Sequence, residues 1–417
     1  MINRYLTLLR ARPGYRNLWL AYAVSLFGDW FNTIAVLTIV NRYTEAEQAV
    51  SLLLIARFLP PFVIGPVAGV IADRFDRRLV LFATNVLRAF IVLGILFVNS
   101  PERVWLLYVL SIAQFVVSAF FEPAQAAILP DLVEPGEVVP ANTLINATWS
   151  AMLALGAAAG GVFAAVFGTN TALVIDAVTF GGAALLVILI QRDSRPQPTD
   201  VSTQASGWQD FVDGLAYLAA RPRIAMIAAV KALSQIGSVD IMVAVYAEQI
   251  FRLGDDGALS LGLMLGAVGT GAVLGPLIAD ALGESTVRKL QIAIAVGFVL
   301  LPIGWLGFGL APNLPLAMVA LVLRGAGGSL NWTYSSALLQ INVPGRYLGR
   351  VFSIDFGIFT LVLSFSTWLT GYILDVSELA PRGLVVLLAV ASIPSLLVWL
   401  GFLSHQARRP EPAAGDR

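Results

Sequence analysis

The chain contains no cysteine and a single histidine, His405. Disulfides and thiolate metal centres are therefore excluded, and one histidine at a helix end beside a basic tail makes no metal site. No metal and no other cofactor is expected. Charge is equally scarce, with 12% of the 417 residues Asp, Glu, Lys or Arg against 58% hydrophobic and a mean hydropathy of +0.81. A water-covered surface needs far more polar area than this, so the chain belongs in lipid. Net charge is zero, which implies no nucleic-acid partner. No Walker lysine motif is present, so the chain cannot itself use ATP as a P-loop pump would. A membrane enzyme should gather His, Asp or Glu at one membrane face, and a receptor should carry a soluble output domain; neither pattern is found. No cleavable signal is predicted, because Arg4, Arg10, Arg12 and Arg16 precede an apolar run far longer than a signal-peptide core.

What the chain does have is long apolar runs. Windows able to cross about 30 Å of hydrocarbon fall near 18–40, 49–71, 79–98, 104–129, 141–167, 171–191, 223–251, 258–282, 287–311, 314–340, 350–374 and 382–404. Most connections are very short, such as Gly168-Thr169-Asn170. The exception, 192–222, is rich in Arg, Asp, Ser, Gln and Pro, and Trp208, Phe211, Leu215 and Leu218 give it the apolar stripe of an interfacial helix. The expected layout is an all-α membrane protein: a six-helix bundle over 1–191, a linker over 192–222 and a second six-helix bundle over 223–417. With both termini cytoplasmic, the inside segments would carry eighteen Arg and Lys and the outside loops four, a strong positive-inside bias. The halves look duplicated. Ser25-Leu26-Phe27-Gly28 matches Ser234-Gln235-Ile236-Gly237, and Gly65, Gly69 and Ala72-Asp73 recur as Gly271, Gly275 and Ala279-Asp280 at nearly the same offset.

Between the second and third spans lies a charged knot, Asp73-Arg74-Phe75-Asp76-Arg77-Arg78, preceded by Gly65 and Gly69. The spacing G-x-x-x-G-x-x-A-D-R-x-x-R-R closely resembles the loop 2–3 signature of the major facilitator superfamily. Phe120-Phe121-Glu122-Pro123-Ala124, Leu129-Pro130-Asp131, Ala141-Asn142, Gln340-Ile341-Asn342-Val343-Pro344, Gly349-Arg350-Val351-Phe352-Ser353 and Gly28-Asp29-Trp30 resemble the macrolide-efflux and enterobactin-exporter branch. The resemblance implies a twelve-helix secondary transporter working by alternating access, with helices 1, 4, 7 and 10 lining a central cavity. Proton-coupled export of an amphipathic drug, macrolide or siderophore is the leading expectation, with import or lysolipid flipping on the same scaffold as alternatives. The expected partners are the bilayer, protons and a small molecule, and a monomer in a bacterial inner membrane is expected. The second-half loop, Ala279-Asp280-Ala281-Leu282-Gly283-Glu284, departs from the pattern by lacking the basic run.

Charges inside hydrocarbon are costly, so each one marks a functional-site hypothesis. They are Asp29, Arg57, Arg88, Glu122, Asp176, Lys231, Asp240 and Arg324, with Asp355 near a helix start. On the implied cavity helices, Asp29 is the first choice for a proton site, and an ion pair with Arg57 or Arg88 is the alternative. Asp240 is the comparable carboxylate of the second half, with pairing to Lys231 as its alternative. Glu122, before Pro123, suits an inner gate or a proton site. Arg324 could attract an anionic group or neutralise a carboxylate. Asp176 and Arg57, toward the outer face, are expected to be structural. Trp30, Phe31, Phe120, Phe121, Trp332 and Tyr334 would suit a bulky amphipathic substrate, facing lipid or neighbours being the alternative. In the knot, Gly65 and Gly69 clear a groove for another helix. Asp73 can sit at a neighbouring helix N-terminus, which the resemblance implies is helix 11. Arg74, Arg77 and Arg78 can pair with Asp131 or Asp355, so that the knot forms a cytoplasmic gate; topology marking by positive charge is the alternative. Gly269-Thr270-Gly271 lies inside a span with no strand before it, so helix packing accounts for it better than a dinucleotide loop.

Overall fold

In hydrocarbon every backbone N–H and C=O must be satisfied within the chain, and uninterrupted apolar runs meet that demand as helices. The computed structural model describes residues 2–43, 60, 63–65, 67–190, 207–237, 241–253, 258–282, 286–377 and 379–407, and among these there is no strand. Arg57 and Asp240 lie outside the described residues, as does the side chain of Trp208 and of Phe211.

A short amphipathic helix α1 (Ile2–Ala11) leads into α2 (Pro13–Tyr43). Helix α3 is described over 63–65 and 67–74. There follow α4 (Arg77–Ile95), α5 (Val104–Ser118), α6 (Phe121–Leu132), α7 (Val138–Phe167), α8 (Thr169–Ile188), α9 (Gly207–Ala219), α10 (Pro222–Leu233) and α11 (Ile241–Gln249). The chain ends with α12 (Ala258–Ala281), α13 (Val287–Leu310), α14 (Leu314–Asn342), α15 (Gly345–Val376) and α16 (Pro381–Ala407). Nine stretches of the described residues are long and apolar enough to cross a membrane. The expected second and seventh spans are interrupted by undescribed residues, and the fifth is the 30-residue α7. The architecture is that of an all-α, twelve-span membrane protein.

Two spans are each built from a pair of helices. The fourth changes from α5 to α6 at Ala119–Phe120, where Pro123, which has no N–H to donate, is tolerated in the first turn of the new helix. The seventh breaks after α10, where Gly237 adopts φ +70°. The expected interfacial helix of the linker is α9, in which Leu218 is buried and Leu215 exposed.

The chain forms two compact units, Met1–Ala228 with Ser336–Ser364, and Ala229–Ser335 with Phe365–Arg417. In the first, Phe31, Ile39, Val92, Leu107, Leu173 and Phe180 close a core between α2, α4, α5 and α8. In the second, Met242, Tyr246, Trp305, Phe308, Leu321 and Leu384 do the same, with Tyr246 stacked on Phe308 at 4.2 Å. Large apolar side chains such as Phe90, Phe97, Leu185 and Leu397 point outward, as a lipid-facing surface requires.

Small residues set how closely helices approach. A Cβ on Gly271 would lie 1.9 Å from the Val322 carbonyl oxygen, and one on Gly325 would lie 2.2 Å from that of Val268, so α12 and α14 touch backbone to backbone. Gly328, three residues along the same helix, has open space where its Cβ would be. Gly325→Ala should therefore lower the melting temperature of the purified protein, since overpacking costs about 1–3 kcal/mol. Gly328→Ala should leave it unchanged or raise it, through the better helix propensity of alanine.

Candidate functional site

The charged knot folds into a capped turn. Asp76 stands at the N-cap of α4, its Oδ1 accepting the Arg78 backbone N–H at 2.9 Å. This releases Asp73, at the end of α3 and beyond the 49–71 span, to reach α15. Its Oδ1 accepts the Gly349 N–H at 2.7 Å and its Oδ2 the Arg350 N–H at 3.0 Å, while Arg350 Nε lies 3.4 Å and Arg77 4.0 Å from the carboxylate. Such proximity needs glycine on both helices: a Cβ on Gly69 would sit 2.5 Å from Ser353 Cβ, and one on Gly349 2.8 Å from the Gly69 carbonyl oxygen. The Ser353 hydroxyl donates to the Gly65 carbonyl.

Arg77 is buried and ties three segments together. It donates to Asp131 at 2.9 Å, to the Ala127 carbonyl at 2.8 Å and to the Gly345 carbonyl at 2.6 Å. Asp131 is thus the acid that pairs with Arg77, and Asp355 is fully buried on α15. Arg74 and Arg78 flank the turn, half-buried. Nearby, the motif residues Asn142 and Gln340 meet at 2.5 Å, and Gln340 donates onward to the Ala126 carbonyl at 3.0 Å. Burial pushes the Asp73 carboxyl up to about 7, against the downward pull of the two N–H groups and two arginines.

A second polar cluster lies inside the first unit, at the level of Asp29. Arg88 of α4, buried and stacked 4.0 Å over the Phe180 ring, reaches Asp29 at 2.5 Å. On α8 the fully buried Asp176 accepts from Asn32 at 2.8 Å, and Asn32 also contacts Gln114 at 3.3 Å. Gly28 makes room for this crossing, since a Cβ there would lie 2.5 Å from Asp176 Oδ1 and 1.9 Å from the Thr179 hydroxyl.

The remaining expected site residues lie elsewhere. Lys231 is buried with its ammonium 4.7 Å over the Trp332 ring, next to an Asn331–Ser234 hydrogen bond of 2.9 Å. Arg324 is buried with its guanidinium 5.4 Å from the Trp305 ring. Tyr334 is buried and donates to the Pro276 carbonyl at 3.3 Å. Phe31 belongs to the core, packed between Phe27 and Phe163. Glu122 is exposed, Phe121 buried, and Trp30 and Phe120 half-buried. Sequence reasoning missed Asn32, Gln114 and Asn331. These amides carry no charge, and charge inside hydrocarbon is the signal that marks site residues in the sequence.

The chain matches the Major Facilitator Superfamily over residues 18–355 and belongs to that family. It is 27% identical to the uncharacterised MFS-type transporter YfiS of Bacillus subtilis, with 83% of each chain covered. It is 24% identical to the putative bacilysin exporter BacE of Bacillus amyloliquefaciens (82% of this chain, 84% of that one). To macrolide efflux protein A of Streptococcus pyogenes it is 22% identical (87% and 89%). The human organic anion transporter TETRAN shares the fold with a TM-score of 0.75 at 14% identity, covering 92% of this chain and 98% of that one. The protein is accordingly a multi-pass membrane transporter and not an enzyme.

Because the chain has no native cysteine, Ser353→Cys gives a clean labelling probe of the α3–α15 contact. Hydrogen bonds to a charged group contribute about 1.5–3 kcal/mol each. Asp73→Ala should therefore raise the labelling rate at least about tenfold over the parent, measured against an exposed control cysteine. The pH dependence has a definite sign. A carboxyl held above its ordinary range binds its proton more tightly in the closed contact than when released, so acid favours closure. Relative to the exposed control cysteine at each pH, which carries the thiol's own pH dependence, labelling should slow as pH falls from 8 to 6 when Asp73 is present, and this relative slowing should vanish in Asp73→Ala.

Proposed function

We propose that this transporter works by alternating access as a proton-coupled exporter of amphipathic small molecules, in a bacterial inner membrane with both termini cytoplasmic. The observation that carries the reading is the Asp29–Arg88 pair. A carboxylate in the middle of a span, 31% exposed and held at 2.5 Å by a buried arginine, can bind a proton when the pair opens and release it when the pair re-forms. Export is supported by the names of relatives, which include a bacilysin exporter, a macrolide efflux protein and an enterobactin exporter. The positive-inside bias places the charged knot at the cytoplasmic face. There the Asp73–α15 contact acts as a latch that closes the inner side. Within the first unit, the half-buried Trp30 and Phe120 offer aromatic surface to a bulky substrate. Two further assignments belong to this reading: six-helix bundles over 1–191 and 223–417, and Asp240 as the second-half carboxylate.

Inside-out vesicles with an imposed proton gradient and a panel of macrolides, siderophores and cationic dyes test this directly. Gradient-driven uptake is expected in the parent protein and lost in Asp29→Asn, with gradient-independent exchange of the same compound retained. Transport of a panel member that ignores the gradient in the parent, or an unimpaired Asp29→Asn, overturns proton coupling at this site. A panel that does not move at all, with lysolipid moved instead, overturns the substrate class.

A further inference from the structure

At the level of Asp29, the described residues of the first unit bring together two carboxylates and one cation. Asp29 on α2 takes the salt bridge from Arg88, at 2.5 Å. Asp176 on α8 has no solvent exposure, and its Oδ1 accepts no hydrogen bond. Its Oδ2 is held by the Asn32 side-chain N–H at 2.8 Å. Arg88 nevertheless lies against α8, its guanidinium 4.0 Å over Phe180, which follows Asp176 by one turn on the same face. The Arg88 Nε–H has no acceptor. One cation is thus within reach of two carboxylates while serving one.

Among the described residues, no other charge faces the cluster. Neither α5 nor α7 carries a charged residue, α5 contributing Gln114 through Asn32. The other charges of α4, Arg77 and Arg78, are at its start, one membrane face away. Beyond Asp29 the titratable groups are Tyr22 of α2 and Glu122 of α6. With both acids ionised, a net negative charge would be buried without compensation, at a cost that proton uptake avoids.

We propose that Asp29, Arg88 and Asp176 form one proton-carrying unit, in which a single proton and a single guanidinium are exchanged between two carboxylates. In the arrangement observed, Arg88 neutralises Asp29 and Asp176 is a neutral acid. When Arg88 turns to Asp176, the Asp176 O–H bond breaks and an O–H bond forms on Asp29. The unit keeps zero net charge on either side of the exchange, so neither arrangement strands a charge in hydrocarbon. The proton passes from a carboxyl with no exposure to one that is 31% exposed, where water can accept it. Asn32, one turn from Asp29 on α2, is a positioning residue that holds Asp176 in reach.

The inference rests on the proton-coupled reading for its purpose, but its test needs no substrate. The full chain in lipid nanodiscs at pH 9, where Asp73 is ionised, is examined by infrared spectroscopy for the carbonyl stretch of a buried carboxylic acid, identified by its shift in D2O. The parent should show the band, and Asp176→Asn should lose it. Asp29→Asn should lose it too, because Arg88 is then free to pair with Asp176 and ionise it. Arg88→Gln should keep it. Asparagine is close in shape to a neutral aspartic acid, so both Asn variants are expected to fold, and Arg88→Gln provides an independent arm. Absence of the band from the parent, or its survival in Asp29→Asn, overturns the exchange. Transport that fails while the bands behave as stated counts against the proton-coupled reading alone.

Discussion

A carboxylate seated on two backbone N–H groups near the start of α15 is the contact on which the first unit depends. Asp73 sits at a helix crossing that leaves its side chain 1% exposed. Such a charge survives burial only where donors surround it. The N–H groups of Gly349 and Arg350 supply two, and the guanidinium groups of Arg350 and Arg77 supply positive charge at 3.4 and 4.0 Å. Glycines 69 and 349 are what let the backbones come close enough for these bonds to form. This crossing, with Arg77 on the Gly345 carbonyl and Asn142 on Gln340, is why Ser336–Ser364 belongs with Met1–Ala228 despite the distance in sequence. Helix α9 adds to it: a Cβ on Gly214 would lie 3.1 Å from Arg350 Cβ, and Tyr217 stacks on Tyr347 at 4.4 Å.

The two units treat buried polarity differently. The first concentrates ionised groups, with Arg88 between acids on α2 and α8. The second relies on neutral pairs, Asn331 with Ser234 and Ser329 with the Ala272 carbonyl, and sets its buried cations over tryptophan rings. The duplicated glycines diverge in the same manner. Gly69 meets α15, whereas Gly271 and Gly275 meet Val322 and Ala326 of α14, and the second-half loop has no basic run. The second half keeps the glycines and the aspartate, as Asp280, but sets the glycines against a different helix and lacks the arginines.

Most of the fold could be read from the sequence because hydrocarbon leaves few options: a long apolar run is a helix, and Arg-rich breaks are turns. The glycines of the knot were legible for a similar reason, since small residues one turn apart have few uses other than close packing. The partner of Asp73 was legible only through family resemblance, as nothing in the pattern points 276 residues ahead. The Asp29–Arg88 pair stood in the sequence as an alternative to a free proton site, but the place of Asp176 beside it was not legible. The three come from helices of opposite direction, and only the packing of α2 and α4 on α8 sets them at one depth. Asp176, expected to be structural from its place toward the outer face, therefore joins the cluster through a crossing that Gly28 permits.

The break after α10 carries a consequence for sequence drift. At Gly237 the backbone is left-handed, and a side chain would strike the Leu388 carbonyl oxygen at 2.3 Å. The Leu233 carbonyl at the end of α10 accepts the Ile236 N–H at 3.3 Å, and the Ser395 hydroxyl gives it a second donor at 2.9 Å. A glycine on one helix and a hydroxyl on another thus answer to a single backbone requirement. Among descendants of this chain the two positions should drift as a linked pair: a lineage that straightens the helix loses the reason for its serine.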